Sequence, residues 1–140
     1  MALRLGTQVD AAIRAHGSET YPNECYGALI GRDGLVTETL ALPNMTDEGP
    51  HTRFRVTPSD YRTAERRAGE LGAELVGFYH SHPDHPARPS QYDLDHAWPF
   101  FSYVIVSVRN GVSGDMTSWQ LREDRSAFDP EELKSSTAYA

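Results

Sequence analysis

Apolar positions along this chain follow two periods, one typical of helices and one typical of strands. Val9 and Ile13 lie four residues apart, and the surrounding pattern predicts a first helix over residues 7–16 that ends near Gly17. Residues 57–60, Thr-Pro-Ser-Asp, form a capping box with proline at the first helical position, which predicts the start of a second helix. Each helix has one apolar face for packing against other elements.

Strands are predicted where apolar, β-branched and aromatic residues cluster between turn signals. In chain order the predicted strands are residues 26–30, 35–42, 75–79, 103–108 and, last, 116–122. Residues 31–34 and the Asn-Gly pair at 110–111 are tight-turn signals between neighbouring strands, and residues 43–52 have the composition of a loop. Ser90 caps a predicted short third helix that runs through Ala97.

The element pattern predicts a mixed α+β protein with one main domain. A chain of 140 residues is of the usual size for a single domain. We expect this domain to span residues 1–125. Residues 126–140 are charged and then small and polar, so we expect a partly loose C-terminal tail.

Composition restricts the classes of function. Thirteen basic and twenty acidic side chains give a formal net charge of −7, which argues against binding to a nucleic-acid backbone as the main task. No apolar run has the length of a signal peptide or a membrane span, so we expect a cytoplasmic protein without a membrane partner. Cys25 is the single cysteine, which excludes an internal disulfide and any multi-cysteine metal site.

A short segment near the middle of the chain concentrates groups that bind metal ions. His80 and His82 follow the predicted strand 75–79 and, two residues apart, point to one face of it. Asp93, in the first turn of the third helix, can complete the set. Two imidazole nitrogens and one carboxylate oxygen form a usual catalytic zinc set that leaves a fourth position open. Burying these polar groups without a partner costs several kcal/mol, so the pattern favours a metal site.

Other interpretations of the same residues compete. Residues 80–85 also spell His-x-His-x-Asp-His, a metallo-β-lactamase signature, but that fold needs histidines further along the chain, and none follows His96. Cupin-like iron sites place a glutamate shortly after the second histidine, whereas the next glutamate here is Glu123. Taken singly, Asp93 and Ser90 suit the start of any helix. Their joint spacing favours the zinc site.

The segment resembles the signature of the JAMM metallopeptidases, also called the MPN+ or Mov34 family. That signature is His-[Ser/Thr]-His-Pro, six residues, Ser, two residues and Asp, and residues 80–83, Ser90 and Asp93 match it at every position. Residues 22–31 are similar to the family's upstream flanking pattern. The resemblance covers residues 3–122. It implies a JAMM/MPN-like fold, similar to that of cytidine deaminases, with a mixed curved sheet in a three-layer arrangement with helices.

The resemblance also implies roles for individual residues. The metal would be Zn²⁺, bound by the two histidines and the aspartate of the motif. Glu24 would be the general base that takes a proton from water and passes it to the leaving amine. Ser90 would donate a hydrogen bond to the developing oxyanion. Spacing alone does not select Glu24 over Glu19, because a linear sequence places neither residue beside the motif.

The implied substrate is a protein with a Gly-Gly tail. Members of the family hydrolyse peptide or isopeptide bonds after the C-terminal Gly-Gly of ubiquitin-like proteins. This short chain is similar to stand-alone prokaryotic members that process small sulfur-carrier proteins of the ubiquitin fold. The alternative is a non-catalytic MPN-type interaction module, but such modules typically have degraded metal motifs. The intact motif therefore favours a zinc metallopeptidase.

Overall fold

The fold combines three helices with seven strands in the part of the chain that the structure, a computed structural model, describes: residues 2–43 and 56–136. In chain order the elements are β1 (Ala2–Gly6), α1 (Thr7–Thr20), β2 (Tyr26–Arg32), β3 (Leu35–Ala41), α2 (Pro58–Glu70), β4 (Glu74–Pro83), α3 (Gln91–His96), β5 (Ser102–Arg109), β6 (Val112–Leu121) and β7 (Phe128–Ser136). The predicted mixed α+β class is confirmed.

The strands form one closed sheet in the order β1-β3-β2-β4-β5-β6-β7. It closes because β1 pairs in parallel with β3 on one side and with β7 on the other. Strand β4 lies in the middle, antiparallel to β2 and parallel to β5. The strand that carries both motif histidines is therefore held by backbone hydrogen bonds along both of its edges.

Apolar side chains cover both faces of the sheet around β4. On one face, Val9 and Ile13 of α1 pack in a cluster with Tyr79. On the other face, Ala64 of α2 packs in a cluster with Phe78. The order of layers around β4 is thus α1, the sheet, and then α2 with the partly buried Leu94 of α3. This arrangement leaves the even-numbered side chains of β4 on the face that also carries α3.

Helix α1 continues past the predicted end at Gly17 and ends at Thr20. The prediction treated this glycine as a stop signal, but Gly17 is buried within the helix. A Cβ atom at this position would lie 3.0 Å from Cγ2 of Val108 in β5. The glycine therefore allows the helix to approach the sheet closely, and it does not end the helix.

The predicted elements lack β1 and β7, the first and last strands of the described chain. The prediction that residues 116–122 form the last strand is wrong, because β7 pairs with β6 and with β1. Residues 128–136 of the expected tail are thus strand. Strand β7 contains Pro130 and several charged residues, and this composition hides it from sequence patterns. Residues 128–136 form a strand because they pair with β1 on one side and with β6 on the other.

Several local predictions are confirmed. The capping box of α2 has both of its hydrogen bonds, from N of Asp60 to Oγ1 of Thr57 at 3.1 Å and from N of Thr57 to Oδ2 of Asp60 at 3.5 Å. Asn110 and Gly111 both have positive φ and connect β5 to β6. Residues 44–52 of the predicted loop lie outside the described residues. Among the described helices, none has both the length and the apolar character needed to cross a membrane.

Candidate metal centre

Strand β4 presents two buried histidines on one face. His80 and His82 are 1% and 8% exposed, and the intervening Ser81 points to the opposite face. Across the parallel pairing with β5, His80 lies beside Ile105 and His82 lies beside Ser107. The histidines are held by a strand that is paired with a neighbouring strand along each of its edges.

Helix α3 supplies the third group. Ser90 is its N-cap and accepts a hydrogen bond at Oγ from N of Asp93 at 3.1 Å, while N of Ser90 donates to Oδ2 of Asp93 at 2.9 Å. The predicted cap and the predicted first-turn position of Asp93 are confirmed. This reciprocal box turns the Asp93 carboxylate back across the start of the helix, towards β4.

Three ligand atoms converge at this point. Nε2 of His80 lies 3.1 Å from Nε2 of His82, and Oδ2 of Asp93 lies 3.4 Å from the first nitrogen and 3.2 Å from the second. Neighbouring ligands of a tetrahedral zinc ion with bonds of about 2.0–2.1 Å lie roughly 3.3–3.4 Å apart. The three atoms therefore fit one face of a tetrahedral metal site, and the donor set suits zinc.

A backbone carbonyl fixes the orientation of one imidazole. Nδ1 of His82 lies 2.8 Å from the carbonyl oxygen of Pro86. A carbonyl oxygen can only accept, so Nδ1 of His82 carries the proton and donates it. When the ring is neutral, Nε2 is therefore its unprotonated nitrogen, and this atom faces the two other ligand atoms. This is the usual outer contact of a histidine that binds a metal through Nε2.

Burial and nearby opposite charges determine the protonation states of His80 and Asp93. Burial lowers the pKa of His80 below its ordinary value, and the Asp93 carboxylate offsets this only in part. Burial alone would raise the pKa of Asp93, but His80 and His82 more than offset it and hold that pKa well below its usual range. A neutral His80 beside an ionised carboxylate is the state that metal binding requires.

The structure brings Glu24 close to the motif strand through its neighbour. N of Cys25 donates to Oγ of Ser81 at 2.8 Å, and N of Ser81 donates to the Cys25 carbonyl at 3.2 Å. These bonds extend the β2–β4 pairing, in which Tyr26 lies opposite His80. Glu24 is the residue before Cys25, so its backbone lies near this part of β4. Glu24 is only 9% exposed, unlike the exposed Glu19 near the end of α1.

Asp84 and His85, which follow the motif proline, lie outside the group of candidate metal ligands. Oδ2 of Asp84 accepts a hydrogen bond from the Tyr21 hydroxyl at 2.5 Å, and its Oδ1 accepts one from N of Asn110 at 3.0 Å. Neither Asp84 nor His85 joins the metal-ligand group found among residues 2–43 and 56–136. Asp84 anchors the loop to the β5–β6 turn, so nothing in this part of the chain supports a two-metal centre.

A small pocket adjoins two of the three candidate ligands. Its lining includes His80 and Asp93 and is otherwise mostly apolar, with Val56, Pro89, His96, Ala97, Tyr103, Ile105 and Phe128. Apolar walls lower the local dielectric, which strengthens electrostatic interactions with a reacting group.

Comparison with known proteins agrees with the fold and the motif. Residues 7–122 match the family described as prokaryotic homologs of the JAB domain. A desampylase from Haloferax volcanii is 34% identical over 74% of this chain and 81% of its own length. A probable TtuB-protein conjugate cleaving protease from Thermus thermophilus is 35% identical. The aligned part covers 68% of this chain and 63% of that relative.

A solved structure has a fold that agrees with this family match. A JAB1/MPN domain protein from Archaeoglobus fulgidus superposes with a TM-score of 0.64 at 20% identity, over 94% of this chain and 97% of the other. The predicted JAMM/MPN-like fold is confirmed by this likeness. The family match covers most of the chain, from the first helix to the end of β6. The chain belongs to the prokaryotic JAB family, within the JAMM/MPN class of proteins.

Proposed function

We propose that this protein is a zinc-dependent hydrolase that cleaves the peptide or isopeptide bond after the C-terminal Gly-Gly of a small ubiquitin-like or sulfur-carrier protein. The observation that carries the proposal is the convergence of Nε2 of His80, Nε2 of His82 and Oδ2 of Asp93 within 3.4 Å of one another. We assign these three residues as the metal ligands. A bound zinc ion would supply a Lewis acid that activates water and polarises the scissile carbonyl.

Glu24 is the proposed general base. It is buried where strand β2 begins, next to the pair of hydrogen bonds that ties Cys25 to Ser81 between the two histidines. A carboxylate in this position can take a proton from the attacking water and deliver it to the leaving amine. Both transfers need one group that reaches the same space before and after bond cleavage, and the hydrogen bonds between Cys25 and Ser81 support this role for the preceding residue, Glu24.

Ser90 is the proposed oxyanion donor. Its hydroxyl oxygen accepts the capping bond from N of Asp93. An accepted bond uses a lone pair and not the hydroxyl proton, so capping and donation are compatible. Because Ser90 is exposed and bonded to the ligand Asp93, it can reach a substrate carbonyl at the metal. A donor of this kind is worth about 3–4 kcal/mol in the transition state.

The substrate class is inferred from the relatives and from the pocket. The Thermus relative is named for cleaving conjugates between TtuB and other proteins, and the Haloferax relative is named a desampylase. A flexible tail ending in Gly-Gly suits a metal centre recessed beside an apolar pocket, because glycine allows the closest backbone approach. The folded part of the carrier then stays at the protein surface.

The proposal is tested with a ubiquitin-fold carrier whose Gly-Gly tail is joined to a lysine of a second protein. Release of the intact carrier is followed by mass spectrometry. Glu24→Gln should keep its metal and lose at least about 10²-fold in turnover. The matched control is Glu19→Gln, which neutralises an exposed acid on α1 and should leave turnover unchanged.

The same pair of variants separates an enzyme from an interaction module. A module has no turnover to lose, so wild type and both variants would be equally inactive on every Gly-Gly adduct. Equal activity of wild type and Glu24→Gln would instead show that the base is a different residue. Wild-type activity that survives complete removal of the metal would overturn the zinc proposal.

A further inference from the structure

Three consecutive backbone carbonyls of the loop that follows β4 accept side-chain hydrogen bonds. The His85 carbonyl accepts from Oγ of Ser107 at 2.6 Å, and the Ala87 carbonyl accepts from Oγ1 of Thr117 at 2.6 Å. Between them, the Pro86 carbonyl accepts from Nδ1 of His82 at 2.8 Å. The Pro86 carbonyl, which orients the His82 imidazole, therefore lies between two carbonyls that are each held by a side-chain hydrogen bond.

The two hydroxyls belong to neighbouring strands of the sheet face that carries the histidines. Ser107 lies on β5, directly beside His82 in the parallel register, and is 4% exposed. Thr117 lies on β6 opposite Ile105, and Ile105 is the β5 partner of His80. Both donors thus lie on strands that follow β4 in the same sheet, so the sheet supports both the loop and the histidines.

The hydroxyl of Thr117 has a defined direction. Its oxygen accepts a hydrogen bond from Nε1 of Trp119 at 2.8 Å, while its proton goes to the Ala87 carbonyl. An indole N–H can only donate, so this accepted bond leaves the threonine proton for the loop. The short chain Trp119–Thr117–Ala87 therefore fixes the loop from the β6 side.

We propose that Ser107 and Thr117 are positioning residues of the metal centre. By holding the carbonyls of residues 85 and 87, they keep the Pro86 carbonyl on Nδ1 of His82. That contact selects the tautomer whose Nε2 lone pair faces Nε2 of His80 and Oδ2 of Asp93. The hydroxyls of both residues bond to loop carbonyls, so both act through the loop. The effect on zinc rests on the proposed function, whereas the effect on the tautomer belongs to the metal-free protein.

The tautomer of His82 is the first readout. Long-range ¹H–¹⁵N correlation spectra of the metal-free protein distinguish the two neutral forms, at a pH well above the ordinary imidazole value of about 6.5. Wild type should show the Nδ1–H form of His82. Thr117→Val, which keeps the shape of the side chain but removes its hydroxyl, and Ser107→Ala should each add a clear population of the Nε2–H form.

Zinc affinity is the second readout, measured on the folded proteins by competition with a chromophoric chelator. Loss of an outer contact of a metal-binding histidine typically lowers affinity about 10- to 100-fold, and we expect this for Thr117→Val and Ser107→Ala. Thr117→Ser keeps the hydroxyl and should stay close to wild type. The matched control is Ser118→Ala, which removes the next hydroxyl on β6, a buried group that bonds to Glu131 and not to the loop.

The outcomes separate this inference from the proposed function. Folded Thr117→Val and Ser107→Ala proteins with an unchanged His82 tautomer and unchanged zinc affinity would overturn the positioning roles. An equal effect in Ser118→Ala would overturn them too, because it would show a general response to a lost hydroxyl. A tautomer change in a protein that binds no zinc would support the positioning roles and contradict the zinc-dependent function.

Discussion

Cys25 and Ser81 exchange two hydrogen bonds, from N of Cys25 to Oγ of Ser81 at 2.8 Å and from N of Ser81 to the Cys25 carbonyl at 3.2 Å. Ser81 lies between the two motif histidines, and Cys25 follows Glu24 in the chain. One buried contact therefore connects the neighbour of the proposed base to the strand that carries the two motif histidines. The serine of the motif joins two elements that lie far apart in sequence.

Ser81→Ala should damage both stability and turnover. The buried N–H of Cys25 would lose its side-chain acceptor, which costs about 1–3 kcal/mol in the free energy of unfolding. Glu24 would lose the support that sets its distance from the metal, so turnover should fall while zinc binding persists. Urea unfolding and the carrier-release assay measure the two effects. Ser81→Thr keeps the hydroxyl and is the matched control; wild-type stability and turnover in Ser81→Ala would contradict the account.

The sequence patterns predict the local geometry of the three candidate ligands because it depends on short-range rules. The cap at Ser90, the first-turn position of Asp93 and the two-residue spacing of His80 and His82 all depend on neighbours within one element. Local rules of helix capping and strand alternation are enough to find them. The same holds for the capping box that starts α2.

The parts that could not be predicted depend on long-range pairing. Strand β7 is a strand because β1 and β6 bind its edges, although its own residues favour a tail. The approach of Glu24 to β4 depends on the contact between Cys25 and Ser81, which no local pattern contains. The role of the Pro86 carbonyl cannot be predicted from the sequence, since every residue has a backbone carbonyl. Ser107 and Thr117 read as ordinary strand residues until the loop is packed against them.

Gly17→Ala should destabilise the protein although it places alanine in a helix. The new Cβ would lie 3.0 Å from Cγ2 of Val108, and Ser113 and Val106 close the space from other directions. Overpacking of this kind costs about 1–3 kcal/mol, more than the roughly 1 kcal/mol that alanine gains over glycine within a helix. Urea unfolding should therefore show a net loss of stability.

Gly69→Ala is the matched control for that experiment. Gly69 lies in the last turn of α2, and a Cβ atom there would meet no atom within 4 Å. Only the helix preference remains, so this variant should be more stable than wild type by about 0.5–1 kcal/mol. A stabilising Gly17→Ala would show that α1 can move away from β5, against the close approach described above.

Acid should destabilise the metal-free protein. Burial lowers the pKa of His80 below its ordinary 6.5, so the unfolded chain binds more protons than the native state as the pH falls below that value. Stability present above pH 6.5 is then lost with a slope of at most about 1.4 kcal/mol per pH unit for this group. The depressed pKa of Asp93 acts with the same sign, but only below the ordinary 3.8 of a carboxyl group.

Urea unfolding in the presence of a chelator, between about pH 7.5 and 5, measures this slope. His80→Gln removes the titrating group and should flatten it. A residual slope is expected from His16, whose pKa burial also lowers. A slope that is the same in wild type and His80→Gln would contradict the assignment of acid sensitivity to His80.

Cys25 should be unreactive in the native protein. The residue is 1% exposed, and burial raises the pKa of its thiol to about 11. The thiolate, which is the reactive form, is therefore scarce near neutral pH. Because the chain has one cysteine, labelling by iodoacetamide followed by intact mass spectrometry reports on this residue alone. We expect no label on the folded protein and one label after unfolding; rapid native labelling would mark Cys25 as an accessible thiol.

The most direct test of the central claim is the metal content of the folded chain, by native mass spectrometry with elemental analysis of the same sample. The account predicts one zinc ion per chain in wild type and in Glu24→Gln. It predicts strongly weakened zinc binding in Asp93→Ala, which removes one of the three converging ligand atoms. A folded wild-type chain that takes up no metal when zinc is added back would contradict the account, and so would a chain that holds two metals.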